Sequence, residues 1–89
     1  MFGFRWSDRA SDLSARIKRA REEAYLRGAQ EAKMFRLATR GVYERQQMFE
    51  WLDTVIEDGR AELVAQHALE REIEAWDMSC RIMFLVTLT

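Results

Sequence analysis

An all-α fold, a small bundle of two or three helices, is what three features of this 89-residue chain predict. Proline is absent and glycine stands only at positions 3, 28, 41 and 59, so helix breakers are few. Apolar residues make up 48% of the chain, too many for a disordered one. They also recur three, four or seven residues apart, the period of a helix that buries one face. A chain of this length forms a single domain, 1–89, and buries only about 60 to 65% of its unfolded surface.

Residues 1–7 form an N-terminal aromatic segment. Phe2, Phe4 and Trp6 alternate there, a spacing that suits an extended strand or a flap folded over the core. A helix is expected to start near Ser7 or Asp8, with Ser11 as the alternative, because their side chains accept hydrogen bonds from the first free backbone N–H groups. Leu13, Ile17, Ala20, Ala24, Gly28, Phe35, Ala38, Val42, Phe49, Leu52 and Ile56 then fall along one line. The pairs Asp12 with Arg16 and Glu23 with Arg27 have the favourable i to i+4 order, each adding about 0.2–0.5 kcal/mol.

Gly28 lies on the apolar line itself, where a missing side chain lets another helix come near, and it is kept inside its helix. Gly41 follows Thr39-Arg40 and precedes a lapse of the apolar line over Glu44 to Gln47, so it marks a break. Gly59 ends one apolar period, and another opens at Ala61 and continues through Ala65, Leu69, Ile73, Trp76, Cys80 and Met83. The expected helices are therefore 8–40, 43–58 and 60–83, the last two in an antiparallel hairpin turning at Gly59. That hairpin sets Phe49 and Leu52 against Leu69 and Ile73. One long helix over 8–58, with the last helix folded back on it, is the alternative. The apolar tail 84–89 is β-branched and aromatic, and reads as core or as a strand added to a partner's sheet.

Charge divides the chain. Residues 1–45 carry eleven Lys and Arg against six Asp and Glu, net +5, whereas residues 46–89 carry three against nine, net −6. Two halves of opposite sign can pair within a chain, between copies, or with two different partners.

Residue types that carry catalysis are few and scattered. Cys80 and His67, the sole cysteine and sole histidine, stand thirteen residues apart on one expected helix, about 20 Å along its axis, so neither activates the other. Cys80 falls on an apolar stripe and reads as a packed thiol. His67 shares a helical side with Glu70 and Glu74, a grouping short of a metal site and read as a solvated face. Glu72, at the edge of the last apolar stripe, is expected to reach out to water. Four separated glycines supply no phosphate loop. The reading is a non-catalytic protein with no catalytic, cofactor-binding or metal-ligating residue assigned.

Contact is therefore the expected mode of action. An acidic surface of Glu57, Asp58, Glu62, Glu70, Glu74 and Asp77 is suited to a basic patch on another protein, as in an inhibitor, adaptor or assembly factor. Small phage inhibitors that act as acidic decoys are an analogy of class. The alternative is nucleic-acid binding through the first helix, with Lys18, Lys33, Arg36 and Arg40 opposite its apolar line. Interspersed acids and an isoelectric point near 5.8 weigh against it. Three Trp, five Phe, two Tyr and five Met are more large side chains than so small a domain hides, which predicts a homo-oligomer; an antiparallel one sets basic first helices beside acidic last ones. A membrane partner is not expected, since the seven residues from Ile82 to Leu88 fall short of the roughly 20 a spanning helix needs. A lone cysteine and no visible export signal point to the cytoplasm.

Overall fold

A computed structural model describes the backbone of residues 3–89 and the side chains of residues 12–89. Three helices account for nearly all of it: α1 (Gly3–Thr39), α2 (Arg45–Ala65) and α3 (Glu70–Leu88), with no strand among the described residues. The chain runs up, down and up, so α1 and α3 are parallel. Arg16 meets Glu72 near one end, Gly28 meets Cys80 and Phe84 in the middle, and Arg36 meets Thr87 near the other.

α1 packs far more closely on α3 than on α2. The cause is a run of small residues, Ala20, Ala24, Gly28 and Ala32, spaced by four and all buried. Interaxial distance is set by the side chains at the contact, and these let two backbones approach. Phe35 continues the same face and is the centre of an aromatic group. Its ring lies 4.7 Å from Tyr43, 5.3 Å from Trp51 and 6.1 Å from Phe84. Leu52, Val55, Ile56 and Leu63 of α2 and Trp76, Cys80 and Phe84 of α3 complete the core.

The break expected at Gly41 is present, which excludes a single helix over 8–58. Arg40 and Gly41 both take left-handed backbone, at φ 56° and 79°. The Arg40 amide donates to Leu37 O and the Gly41 amide to Arg36 O, closing the last turn of α1. α2 then opens where the Glu44 amide donates to Gln47 Oε1 at 2.8 Å.

Gly59 does not turn the chain. It lies buried inside α2, and a Cβ added there would overlap the Trp76 ring, so its bare backbone is a seat for Trp76. A helix passes through a single glycine at a cost of about 1 kcal/mol, less than burying most of an indole returns. The chain turns instead at Gln66–Leu69. His67 holds φ 59°, its amide donates to Val64 O, and the Ala68 amide donates to Leu63 O. The later turn moves the register, so Gly59 meets Trp76 and Asp53 meets Arg81, whereas Phe49 and Leu69 are exposed instead of facing each other.

Both chain ends are more helical than expected. α1 begins at Gly3, ahead of Ser7 and Asp8, since no residue between them interrupts a helix and a capping side chain is only a preference. Phe4 and Trp6 thus lie on helical backbone; whether Phe2, Phe4 or Trp6 covers the core lies outside the described residues. The tail is no strand either: α3 runs to Leu88 and Phe84 is fully buried. β-branched and aromatic residues lose only a few tenths of a kcal/mol in a helix, and packing outweighs that.

Candidate interaction surface

α3 is covered on two sides. Glu72, Cys80 and Phe84 face α1, whereas Trp76, Asp77 and Arg81 face α2. The remaining third of the helix is uncovered; it opens with the exposed Arg71 and is apolar from Ala75 onward. Met78, Ile82 and Val86 follow one another at intervals of four and are 65%, 50% and 60% exposed, with Ala75 and Leu85 half-buried beside them. Four-residue spacing stacks these side chains in a ridge. Scattered exposed apolar residues are ordinary; a continuous row on one helix is a surface that another surface fits.

Opposite charges border this ridge. On α1, Gly28 faces α3, and at 100° per residue Arg21 lies beside it while Lys18, Tyr25 and Arg36 lie just beyond it; all four side chains are exposed. Arg36 is anchored there, donating to Thr87 O at 2.8 Å. On the other border Asp53 and Glu57 of α2 run beside Glu74 and Asp77 of α3. Arg81 pairs with Asp77 at 2.6 Å and reaches Asp53 at 3.5 Å, and its own proton is held more firmly because of that Asp77 bond. Arg60, Ile73, Glu74, Asp77 and Met78 line a groove between the two helices.

The six acids read as one surface fall into two groups. Glu57, Glu70, Glu74 and Asp77 lie on the α2–α3 border, whereas Asp58 and Glu62 point to the α1 side of α2, where Asp58 lines a cleft with Arg27, Glu31, Trp51, Thr54 and Val55. The four cations Lys18, Lys33, Arg36 and Arg40 are all exposed and lie within about 60° of one another around α1. Leu26 and Leu37 stand next to them, exposed as well.

Several polar residues have structural partners that sequence spacing does not reveal. Glu72 is buried, not extended to water: its carboxylate accepts from the Leu69 amide at 3.2 Å and pairs with Arg16 at 2.9 Å, fixing the start of α3 to α1. Glu31 accepts from Trp51 Nε1 at 3.1 Å and lies 3.2 Å from Arg27 Nε, an ion pair whose angle is too poor for a hydrogen bond. Among the described ion pairs Arg16 and Arg27 therefore have partners other than Asp12 and Glu23. The cleft lined by Arg27 and Glu31 holds about 230 Å³, below the roughly 300–1,000 Å³ of small-molecule sites. His67 sits in the α2–α3 turn instead of on a helix, so the shared side with Glu70 and Glu74 does not form.

Cys80 is buried completely, and its thiol is pushed up from 9.0 to about 11. Burial is the main cause; Arg27 opposes it, and Asp77 and Glu31 add to it. A folded value above the unfolded one means that the protonated thiol favours the native state. That contribution is whole below about pH 9 and is lost as pH rises toward about 11. Two pH units correspond to about 2–3 kcal/mol. Urea titrations between those pH values should therefore show a steeper loss of stability in the native sequence than in Cys80→Ala, and equal slopes would rule out a thiol so placed.

No family model, no curated protein and no solved structure matches the chain.

Proposed function

We propose that this protein is a non-catalytic helical interaction module that binds a macromolecular partner stoichiometrically through the outer face of α3. The observation that carries this reading is the uncovered row Met78, Ile82 and Val86 on a helix whose other sides are packed. Its apolar centre supplies affinity, and the charged borders supply orientation and exclude partners of the wrong pattern. The acidic border of Glu57, Glu70, Glu74 and Asp77 suits a basic surface, so an inhibitor, adaptor or assembly role fits the same face. A photo-cross-linking side chain at position 82 is expected to give adducts of discrete mass in cells, while one at Gln30, exposed on the far side of α1, gives none. Equal, diffuse labelling from both positions would sink the reading.

A second reading is supported by the alignment of Lys18, Lys33, Arg36 and Arg40 on one exposed side of α1, a row about 33 Å long. Such a row can track a phosphate backbone, with steep salt dependence as its signature. The two exposed leucines among these cations have no role on phosphates, which favours the first reading.

A further inference from the structure

We propose that the partner of the α3 face is a second copy of this chain, bound with the two α3 helices parallel about a two-fold axis that runs along them. This rests on the reading of that face as the contact surface and goes beyond it by naming the occupant and its orientation.

The spacing of residues along the outer side of α3 is the first argument: Met78, Ile82 and Thr89 are exposed, whereas Ala75 and Leu85 are half-buried and Leu85 also rests on the core. Ala75, Met78, Ile82, Leu85 and Thr89 are separated by three, four, three and four residues, the alternation that brings two helices together along a seam. Within it Ile82 takes the first apolar position of the heptad and Leu85 the second. In a parallel assembly, a β-branched residue at the first and leucine at the second favour two strands over three or four. Position 82 then faces its own counterpart, and so do 78 and 85. Val86 widens the seam on the α1 side.

Charge decides the orientation independently. Seen from outside, the ridge has cations to one side, Lys18, Arg21 and Arg36 of α1, and carboxylates to the other, Asp53 and Glu57 of α2 with Glu74 and Asp77 of α3. A two-fold axis along α3 exchanges the sides, so each copy sets its cationic border against the other's acidic border. An axis across α3 gives the antiparallel arrangement, in which cations meet cations and acids meet acids. Opposite charges attract and like charges across an interface cost several kcal/mol, so the antiparallel pairing that the division of charge along the sequence suggests is disfavoured. Arg60 and Arg81 reduce the acidic excess without reversing it, because Arg81 is already occupied by Asp77 and Asp53.

The seam is short. Ala75 and Thr89 are fourteen steps apart along the helix, about 21 Å or two heptads, so the apolar contact alone makes a weak dimer and the charged borders contribute much of the specificity. Association is accordingly expected to weaken severalfold between low and high salt.

Sedimentation equilibrium of the full chain tests the proposal. The expected result is twice the chain mass at low salt, and a monomer of unchanged helicity for Ile82→Glu. Orientation is read with Met78→Cys, the unmodified protein with its buried Cys80 serving as control. Mild oxidation should link Met78→Cys to itself, because the parallel seam places position 78 beside its own mate. If Met78→Cys links only when mixed with Val86→Cys, the pairing is antiparallel and the proposal fails. A dimer that persists in Ile82→Glu also overturns it. A monomer at every concentration whose position-82 adducts contain a different protein overturns the self-pairing while leaving the interaction reading intact. A monomer without discrete adducts removes both.

Discussion

Replacing Phe84 by alanine is expected to lower the free energy of unfolding by about 3–5 kcal/mol, the usual cost of emptying a fully buried phenylalanine site. Phe84 has no exposed surface and touches Phe35 at the centre of the aromatic group. Its backbone amide also lies under Gly28, where α1 and α3 are too close for the helices to settle into the space left behind. A chain of 89 residues has roughly 4 to 13 kcal/mol of stability in total. The variant should therefore unfold at a much lower urea concentration or be partly unfolded in buffer. Phe49→Ala is the comparison, since Phe49 is 39% exposed and its loss should cost under about 1.5 kcal/mol. If the two variants unfold at the same urea concentration, the last turns of α3 are not part of the core.

Gly28→Ala is the second large effect, and its sign is the informative part. At an open helical position alanine stabilises relative to glycine by about 0.5–1 kcal/mol. At position 28 the added methyl carbon would lie 2.6 Å from the Cys80 carbonyl oxygen and 3.1 Å from the Phe84 amide nitrogen. These are main-chain atoms, which no rotamer change moves aside, so α1 and α3 have to separate. Overpacking of this kind costs about 1–3 kcal/mol and occasionally more. A net loss of about 1–2 kcal/mol is expected for Gly28→Ala, and Gly28→Leu should fail to fold. A urea midpoint for Gly28→Ala at or above that of the native sequence would show that the helices are not so close.

What could be read from the sequence was whatever a single helix determines by itself. The helical class, the break at Gly41, the retention of Gly28 and the apolar period through Trp76 and Cys80 all follow from spacing along one element. Gly59 misleads because glycine has two uses, as a break and as a seat for a large neighbour, and only the position of Trp76 across the hairpin distinguishes them. The true turn has no glycine: His67 takes the left-handed conformation there, so composition gives no signal. Glu31 and Glu72 look like solvated acids because their partners, Trp51 and Arg16, belong to other helices. The ridge of Met78, Ile82 and Val86 is hidden for the same reason. On an isolated helix it borders the buried stripe, and it becomes a separate surface only when α1 and α2 are seen to cover the remainder.

The close union of the first and last helices has a consequence for biosynthesis. Arg36 and Thr87, joined by a hydrogen bond, are 51 residues apart in sequence. A ribosome adding about 5–20 residues each second finishes α1 several seconds before α3 exists. During that interval the alanine and glycine face of the nascent helix has nothing to lie against. Folding must then await the emergence of α3, and a product terminated before α3 should be a substrate for chaperones and proteases, never a smaller working version of the protein.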